Sequence, residues 1–228
     1  MDIPILYEDN HLLKVEKPVN IPVQEDQSGD LDLLTMLKQD IKIRYDKPGN
    51  VYLALLHRLD RPVGGAMVFA KTSKAASRMA DKIRKHEIKK QYLAVVRGEI
   101  EQKAGEWQDY LVKDHQKNQV RVARKTDKGA KKAILDYHVL ATANGLSLVK
   151  VNLQTGRPHQ IRVQFASRGY PLYGDQKYGA KVNKVGQQIA LWSHQLGFDH
   201  PVKGDEVVHI STPPNTHPWN MWDKRLIN

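Results

Sequence analysis

The stretch "LLHRLDRPVGGAMVFAKT", residues 55–72, carries two kinds of signal side by side. Its second half, from Gly64 on, is a compact apolar run behind two glycines, the pattern of a buried strand. Its first half sets His57, Arg58 and Asp60 close together, directly after apolar residues and directly before a proline. Pro62 steers Arg61 away from helical geometry, so Asp60 sits in a loop or at an extended edge. Gly64 and Gly65 let the backbone come close to another chain or a ligand. An aspartate in this setting either closes a turn or pairs with an arginine, or it is a carboxylate presented for chemistry.

Working outward, "HLLKVEKP" (11–18) predicts a short strand stopped by Pro18, and 24–30 a polar loop. "LDLLTMLKQDIKI" (31–43) has helical spacing at Leu33, Leu34, Leu37 and Ile41. "SKAASRMADKIRKHE" predicts an amphipathic helix with Ser73 as N-cap, an apolar stripe at Ala76, Met79, Ala80 and Ile83, and a basic outer face. "QYLAVVRG" (91–98) predicts a strand. Two further strands in 131–154 flank Asn144-Gly145, the pair that suits a tight hairpin turn. "GRPHQIRVQFASRG" (156–169) predicts a helix with Pro158 in its first turn and Gly169 at its C-cap. From Ile189 short strands alternate with turns up to the prolines at 213, 214 and 218. Strands outnumber helices without strand–helix–strand alternation, so the expected class is α+β: a single domain over 1–228, with a mixed, largely antiparallel sheet flanked by helices and loops.

The chain of 228 residues is 40% hydrophobic and 27% charged, near the averages for globular proteins and far from a disordered composition. It has no cysteine, which removes disulfides, thiolate metal sites and cysteine nucleophiles together. The N-terminus does not read as a signal peptide and no stretch reaches membrane-spanning length, so a soluble cytoplasmic protein, most simply a monomer, is expected. The net charge is +11, and residues 71–132 alone hold 18 Lys and Arg against 8 Asp and Glu. Such a concentration points to a polyanion, with nucleic acid the commonest; a merely solvated basic face is the alternative.

The chemistry open to the chain is narrow. The histidines fall in no metal-ligand spacing, no glycine-rich phosphate loop precedes a helix, and no serine sits in a Gly-x-Ser-x-Gly elbow. Neither a metal nor an organic cofactor is expected. What remains is acid–base or nucleophilic work by a lone aspartate among arginines.

"HRLDRPVGGAMVFAKT" resembles the catalytic motif of the RluA-type pseudouridine synthases, in which His-Arg-Leu-Asp is followed by two variable residues and Thr-Ser-Gly. The resemblance runs on collinearly. "ILYEDNHLLKVEKPVNIPV" (5–23) resembles the family's opening strand and Lys-Pro turn, and "KKQYLAVVRGEI" (89–100) its Lys-x-Tyr-x-Ala-x-Val-x-Gly motif. "LQTGRPHQIRVQFASRGYPLYGDQKYG" (153–179) and "LWSHQLGFDHPVKGDEVVHISTPP" (191–214) resemble the longest motif and the closing strands. Val63-Gly64-Gly65 stands where the usual motif has Thr-Ser-Gly, so two hydroxyls are missing. The helical S4 RNA-binding module that many relatives carry ahead of the catalytic domain is not expected here, because the first motif begins at residue 5.

The resemblance implies an enzyme that isomerises uridine in structured ribosomal or transfer RNA, without metal or cofactor, breaking a carbon–nitrogen glycosidic bond and making a carbon–carbon one. It implies Asp60 as the catalytic carboxylate, acting on the ribose or on the uracil ring. Arg162 would pair with Asp60 and favour its charged form, and Tyr92 would stack on the target base. Because a base inside a duplex must be flipped out to be reached, Arg58 would fill the vacated stack. His57, Arg157 and Gln160 would line the same cleft as substrate contacts, with a packed turn residue the other reading of His57. Two other functions compete with this one: a non-catalytic RNA-binding relative of the same fold, and a glycosidase-like hydrolase. The hydrolase would want a second carboxylate that the motif region does not supply.

Overall fold

The computed structural model describes residues 3–227. Its contacts separate two compact units: the chain up to Ile88 together with Ser193–Ser211, and Lys89–Trp192 together with Thr212 onward. The chain changes unit three times, ahead of Lys89, between Trp192 and Ser193, and between Ser211 and Thr212, so each unit is built from two separate stretches.

In the first unit five strands lie side by side in the order β1 (Ile5–Glu8), β2 (Leu12–Lys17), β4 (Gly64–Ala70), β10 (Leu191–Asp199) and β11 (Glu206–Ile210), while β3 (Ala54–Leu55) pairs with the end of β4. The apolar run of the opening stretch is β4, buried along its whole length, as a central strand must be. It runs antiparallel to β2, from Leu12 opposite Ala70 to Lys17 opposite Gly65. Ala66, Val68 and Ala70 point to one face, where Ala75, Met79 and Ile88 cover them. Helix α1 (Leu33–Arg44) buries Leu33, Leu37 and Ile41, and Asp32 caps it by accepting the Thr35 N–H at 3.0 Å. Helix α2 (Ser73–Arg84) is capped one residue earlier than expected. Thr72 is extended and its hydroxyl accepts the Ala75 N–H at 3.2 Å, whereas Ser73 is already helical. The buried face shifts accordingly to Ala75 and Met79, and Ala80 is exposed.

Gly65 is the tightest point of this unit. Its φ of +111° lies where side chains are strained, and a Cβ would stand 2.3 Å from the Ser193 carbonyl oxygen and 2.7 Å from its nitrogen. Glycine there lets β4 and β10 close to sheet distance, with the Ser193 hydroxyl donating to the Ala66 carbonyl at 2.9 Å.

In the second unit the order is β5 (Lys89–Arg97), β9 (Leu146–Leu153), β8 (Lys131–Ala143), β6 (Ala104–Asp114) and β7 (Gln119–Ala123), each pair antiparallel. Asn144 and Gly145 both have positive φ, 54° and 70°, and form the two-residue turn expected between β8 and β9. The pair β6–β7 escaped the sequence reading because most of its residues are exposed and its alternation carries few apolar side chains. Helix α3 (Gln160–Ala166) starts later than expected. Pro158 lies ahead of it in a turn closed by the Gln160 N–H on the Arg157 carbonyl, and His159 begins the helix at φ +51°. It also ends earlier than expected, with Ser167 as its C-cap; Gly169 takes φ +84° two residues beyond the cap, and the Tyr170 N–H returns to the Phe165 carbonyl at 3.0 Å. Phe165 meets Trp107 edge-on at 4.6 Å, and Arg168 lies 4.4 Å over the same indole while pairing with Asp109 at 2.9 Å. Those contacts fasten α3 to β6.

The fold is therefore α+β, and every strand pair whose register is described is antiparallel. No helix among the described residues is long and apolar enough to cross a membrane.

Two outcomes are expected. Gly65→Ala combines a forbidden φ with a backbone clash, and should cost about 2–4 kcal/mol, read as a lower urea midpoint; an unchanged midpoint would show that β4 and β10 can separate freely. Lys14, on β2, is fully buried with its ammonium on the Leu196 carbonyl at 2.6 Å. Burial pushes it down to about 7, against about 10.4 in an unfolded chain. The unfolded state then binds more protons between those values, so this lysine makes stability rise with pH across that window, by up to about 1 kcal/mol per pH unit. Urea unfolding at pH 7 and pH 9 should show a smaller rise in Lys14→Met than in the wild type.

Candidate active site

Of the expected site residues, the first unit holds His57, Arg58 and Asp60, and the second holds Tyr92, Arg157, Gln160 and Arg162.

Asp60 opens a four-residue turn closed by the Val63 N–H on the Asp60 carbonyl at 2.9 Å. The turn is pinned from two sides. On the inside, Lys17 reaches in from the end of β2, fully buried, and its ammonium donates to the carbonyls of Pro18, Arg61 and Val63 at 2.8, 2.9 and 2.8 Å. On the outside, the Arg61 guanidinium holds the Asp30 carboxylate, the Ser28 hydroxyl and the Asn20 carbonyl. Burial pushes the Lys17 amine down to about 7, while the neighbouring Asp60 charge pushes the other way. Three carbonyl acceptors suit the three N–H donors of an ammonium, so the charged form matches this site. Thus the turn uses the Asp60 backbone for structure, and the Arg beside it is committed to Asp30. Lys17 was not singled out from the sequence as a functional residue. Its signal was the Lys-Pro pair at the end of a strand.

Arg58 is exposed, and Asp60 is half-buried. The His57 ring is tied to β4, where its Nε2 accepts the Val68 N–H at 3.2 Å. In a neutral ring the proton then sits on Nδ1.

In the second unit Tyr92 is buried on β5 opposite Val151. Gln160 is buried too, and its amide works internally. Its oxygen accepts from the Thr155 hydroxyl at 2.8 Å and the Arg157 N–H at 3.0 Å, and its nitrogen donates to the Ile134 carbonyl at 3.1 Å. Gln160 therefore holds the 155–157 turn against β8, and these bonds account for its burial without a substrate contact. Arg157, on that turn, rests its Nε on the Lys132 carbonyl at 2.8 Å and is half-buried.

Arg162 projects from α3 and is almost wholly buried. It forms a two-pronged pair with Asp175: Nε on Oδ2 and Nη2 on Oδ1, both at 2.8 Å. Asp175 belongs to the longest motif quoted above but was not picked out from the sequence. Nothing in its spacing from Arg162 announces a pair, because the intervening chain leaves the helix and returns through a glycine turn. Among the described residues no group of three or more histidines, aspartates and glutamates could hold a metal ion.

These positions can be set beside known proteins. Residues 11–167 match the family model described as RNA pseudouridylate synthase. The RNA pseudouridine synthase YhcT of Bacillus subtilis is 33% identical over 215 residues, covering 93% of this chain and 68% of its own length. The ribosomal large subunit pseudouridine synthase D of Zymomonas mobilis is 32% identical over 219 residues, covering 90% and 68%. In fold, the human RNA pseudouridylate synthase domain containing 4 superposes with a TM-score of 0.78, at 23% identity, over 92% of this chain and 88% of that one. The matched segment includes the turn of Asp60, the strand of Tyr92 and the helix of Arg162, and on this likeness the chain belongs to the RNA pseudouridylate synthase family.

Proposed function

We propose that this protein converts uridine to pseudouridine in structured RNA with Asp60 as its catalytic carboxylate, Arg162 as the supporting cation and Tyr92 as the ring beside the target base. The observation that carries the reading is the Asp60 turn. The backbone that carries this carboxylate is pinned by Lys17 within and by Arg61 without, so little order is left to be lost when the side chain turns toward a reacting atom. Ribosomal RNA is the favoured substrate, since the Zymomonas relative carries the large ribosomal subunit in its name.

The reaction balances without a co-reactant. The bond from the ribose C1′ to uracil N1 breaks, the ring turns, and C1′ bonds to C5. The hydrogen displaced from C5 is matched by one gained at N1. The protein must therefore hold a detached uracil, cradle an electron-poor ribose carbon and move one proton. A fixed carboxylate serves the second and third tasks, whether it first meets the ribose or the ring. Flipping falls to Arg58, whose exposed guanidinium is planar and stacks on bases. His57 and Gln160 act by holding β4 and the Arg157 turn in place, and Arg157 meets the RNA backbone.

The basic stretch contributes affinity. Its α2 part is neutralised only in part: Arg84 and Lys85 share Asp81, and Lys82 lies near Glu87 and Asp199. In the β7–β8 part Arg121 pairs with Asp127, while Lys125 and Lys128 are exposed. These two lysines are the better candidates for phosphate contacts.

Asp60→Asn keeps size and polarity but loses the reacting oxygen, so pseudouridine formation should vanish while RNA affinity stays near wild type. Turnover within about tenfold of wild type would overturn the catalytic assignment. Changing Lys125 and Lys128 together to Gln should weaken binding to many RNAs alike and reduce the slope of log affinity against log salt by about 1–2. A slope that does not move would mark these lysines as a solvated face.

A further inference from the structure

We infer that Asp175 and Tyr178 are positioning residues that set the plane of the Arg162 guanidinium for the reaction. The inference rests on the reading of Arg162 given above and extends it to two residues with no role so far.

Four observations in the second unit support it. Asp175 is itself fixed by its own loop: Oδ1 accepts the backbone N–H groups of Lys177 and Tyr178 at 2.9 and 3.2 Å, and its carbonyl accepts the Gly179 N–H at 3.0 Å. The loop cannot shift easily, because Gly174 beside it has φ +75° and a Cβ there would stand 2.1 Å from the Gln188 carbonyl oxygen. The Tyr178 ring lies under the guanidinium at 5.3 Å, so carboxylate and ring define the plane together. Finally, Tyr178 is held at its far end. Its hydroxyl accepts the Val120 N–H at 2.8 Å and stands 2.6 Å from Nδ1 of His159.

His159 is a non-glycine residue in the left-handed region at the first position before α3, and its side chain makes no capping bond there. The strained backbone instead aims its imidazole at Tyr178. Fold stability is a weak reason for this arrangement. A fully buried ion pair is on balance about as stable as a well-packed apolar substitute, so retaining one points to orientation. A guanidinium has five N–H donors in a fixed fork. Asp175 engages two of them, on Nε and Nη2, which fixes the direction of the other three.

The test is a double-mutant cycle on the full chain. Single-turnover rates of pseudouridine formation and RNA dissociation constants are measured on an in vitro transcribed large-subunit ribosomal RNA. Asp175→Asn should lower the rate by about 100-fold and Tyr178→Phe by about 3- to 10-fold, each with an unchanged dissociation constant. Combined with Arg162→Lys, which lacks the planar fork, neither should lower the rate much further. Losses that multiply in the double variants, or that appear in RNA affinity and not in the rate, would overturn the inference. Should Asp175→Asn fail to fold by circular dichroism, Tyr178→Phe, which removes only a hydroxyl, decides it. Failure of the underlying reading looks different: Arg162→Lys and Arg162→Met would then both keep the wild-type rate.

Discussion

A buried lysine amine holds the turn of Asp60 in place in the first unit. Lys17 ends β2 with no solvent around it, and a lysine in that position is tolerated only because three backbone carbonyls meet its three donors. Bonds to a charged donor are roughly twice as strong as neutral ones, so the loop that supplies the carbonyls is fixed to the strand that supplies the lysine. Asp60 lies in that loop. Gly65 follows within a few residues and brings β4 against Ser193 at a distance no side chain would allow. Between these two constraints the backbone of the turn that carries Asp60 has little freedom left.

The second unit applies the same physical logic with a different cation. A long basic side chain leaves a regular element, here α3, and satisfies a loop that would otherwise bury polar groups without partners. Lysine suits converging carbonyls because its ammonium is a compact point with rotatable donors. Arginine suits a carboxylate because its fork matches two oxygens at once. Exchanging the two types would leave carbonyls unmet in one unit and a carboxylate misaligned in the other. Gln160 does similar work without charge, tying the 155–157 turn to β8 through both ends of its amide. Several polar side chains of the motifs, Lys17 and Gln160 among them, thus use their hydrogen bonds to fasten turns to strands.

Charge follows a related division. The chain is strongly basic, with a net charge of +11, and the sequence concentrates the excess in one stretch. In three dimensions that stretch is α2 in one unit and strands β5 to β8 in the other. Acids one helical turn away or on an adjacent segment neutralise several of its cations. A linear count of lysines therefore overstates the field that RNA meets, and the exposed remainder on β7–β8 matters more than its share of the sum.

By itself the sequence determined the α+β class, most strands, all three helices and the family, because those rest on local signals: apolar periodicity, an Asn-Gly turn, a glycine just past a helix end and collinear motifs. It also named Asp60, Tyr92 and Arg162, through a resemblance and not through any rule of spacing. Local signals erred by a residue or two where a turn competed with a helix start, at Thr72 and at His159, and missed β6 and β7, whose pattern is too polar to stand out. What only the tertiary structure decided are the partners. Lys17 meets carbonyls 44 and 46 residues away, and Arg162 meets Asp175 across a helix end and a glycine turn. Gly65 has no room for a side chain because of Ser193, on a strand far along the chain. Periodicity and capping are written in neighbouring residues; which buried charge satisfies which distant loop is settled only when the chain has closed.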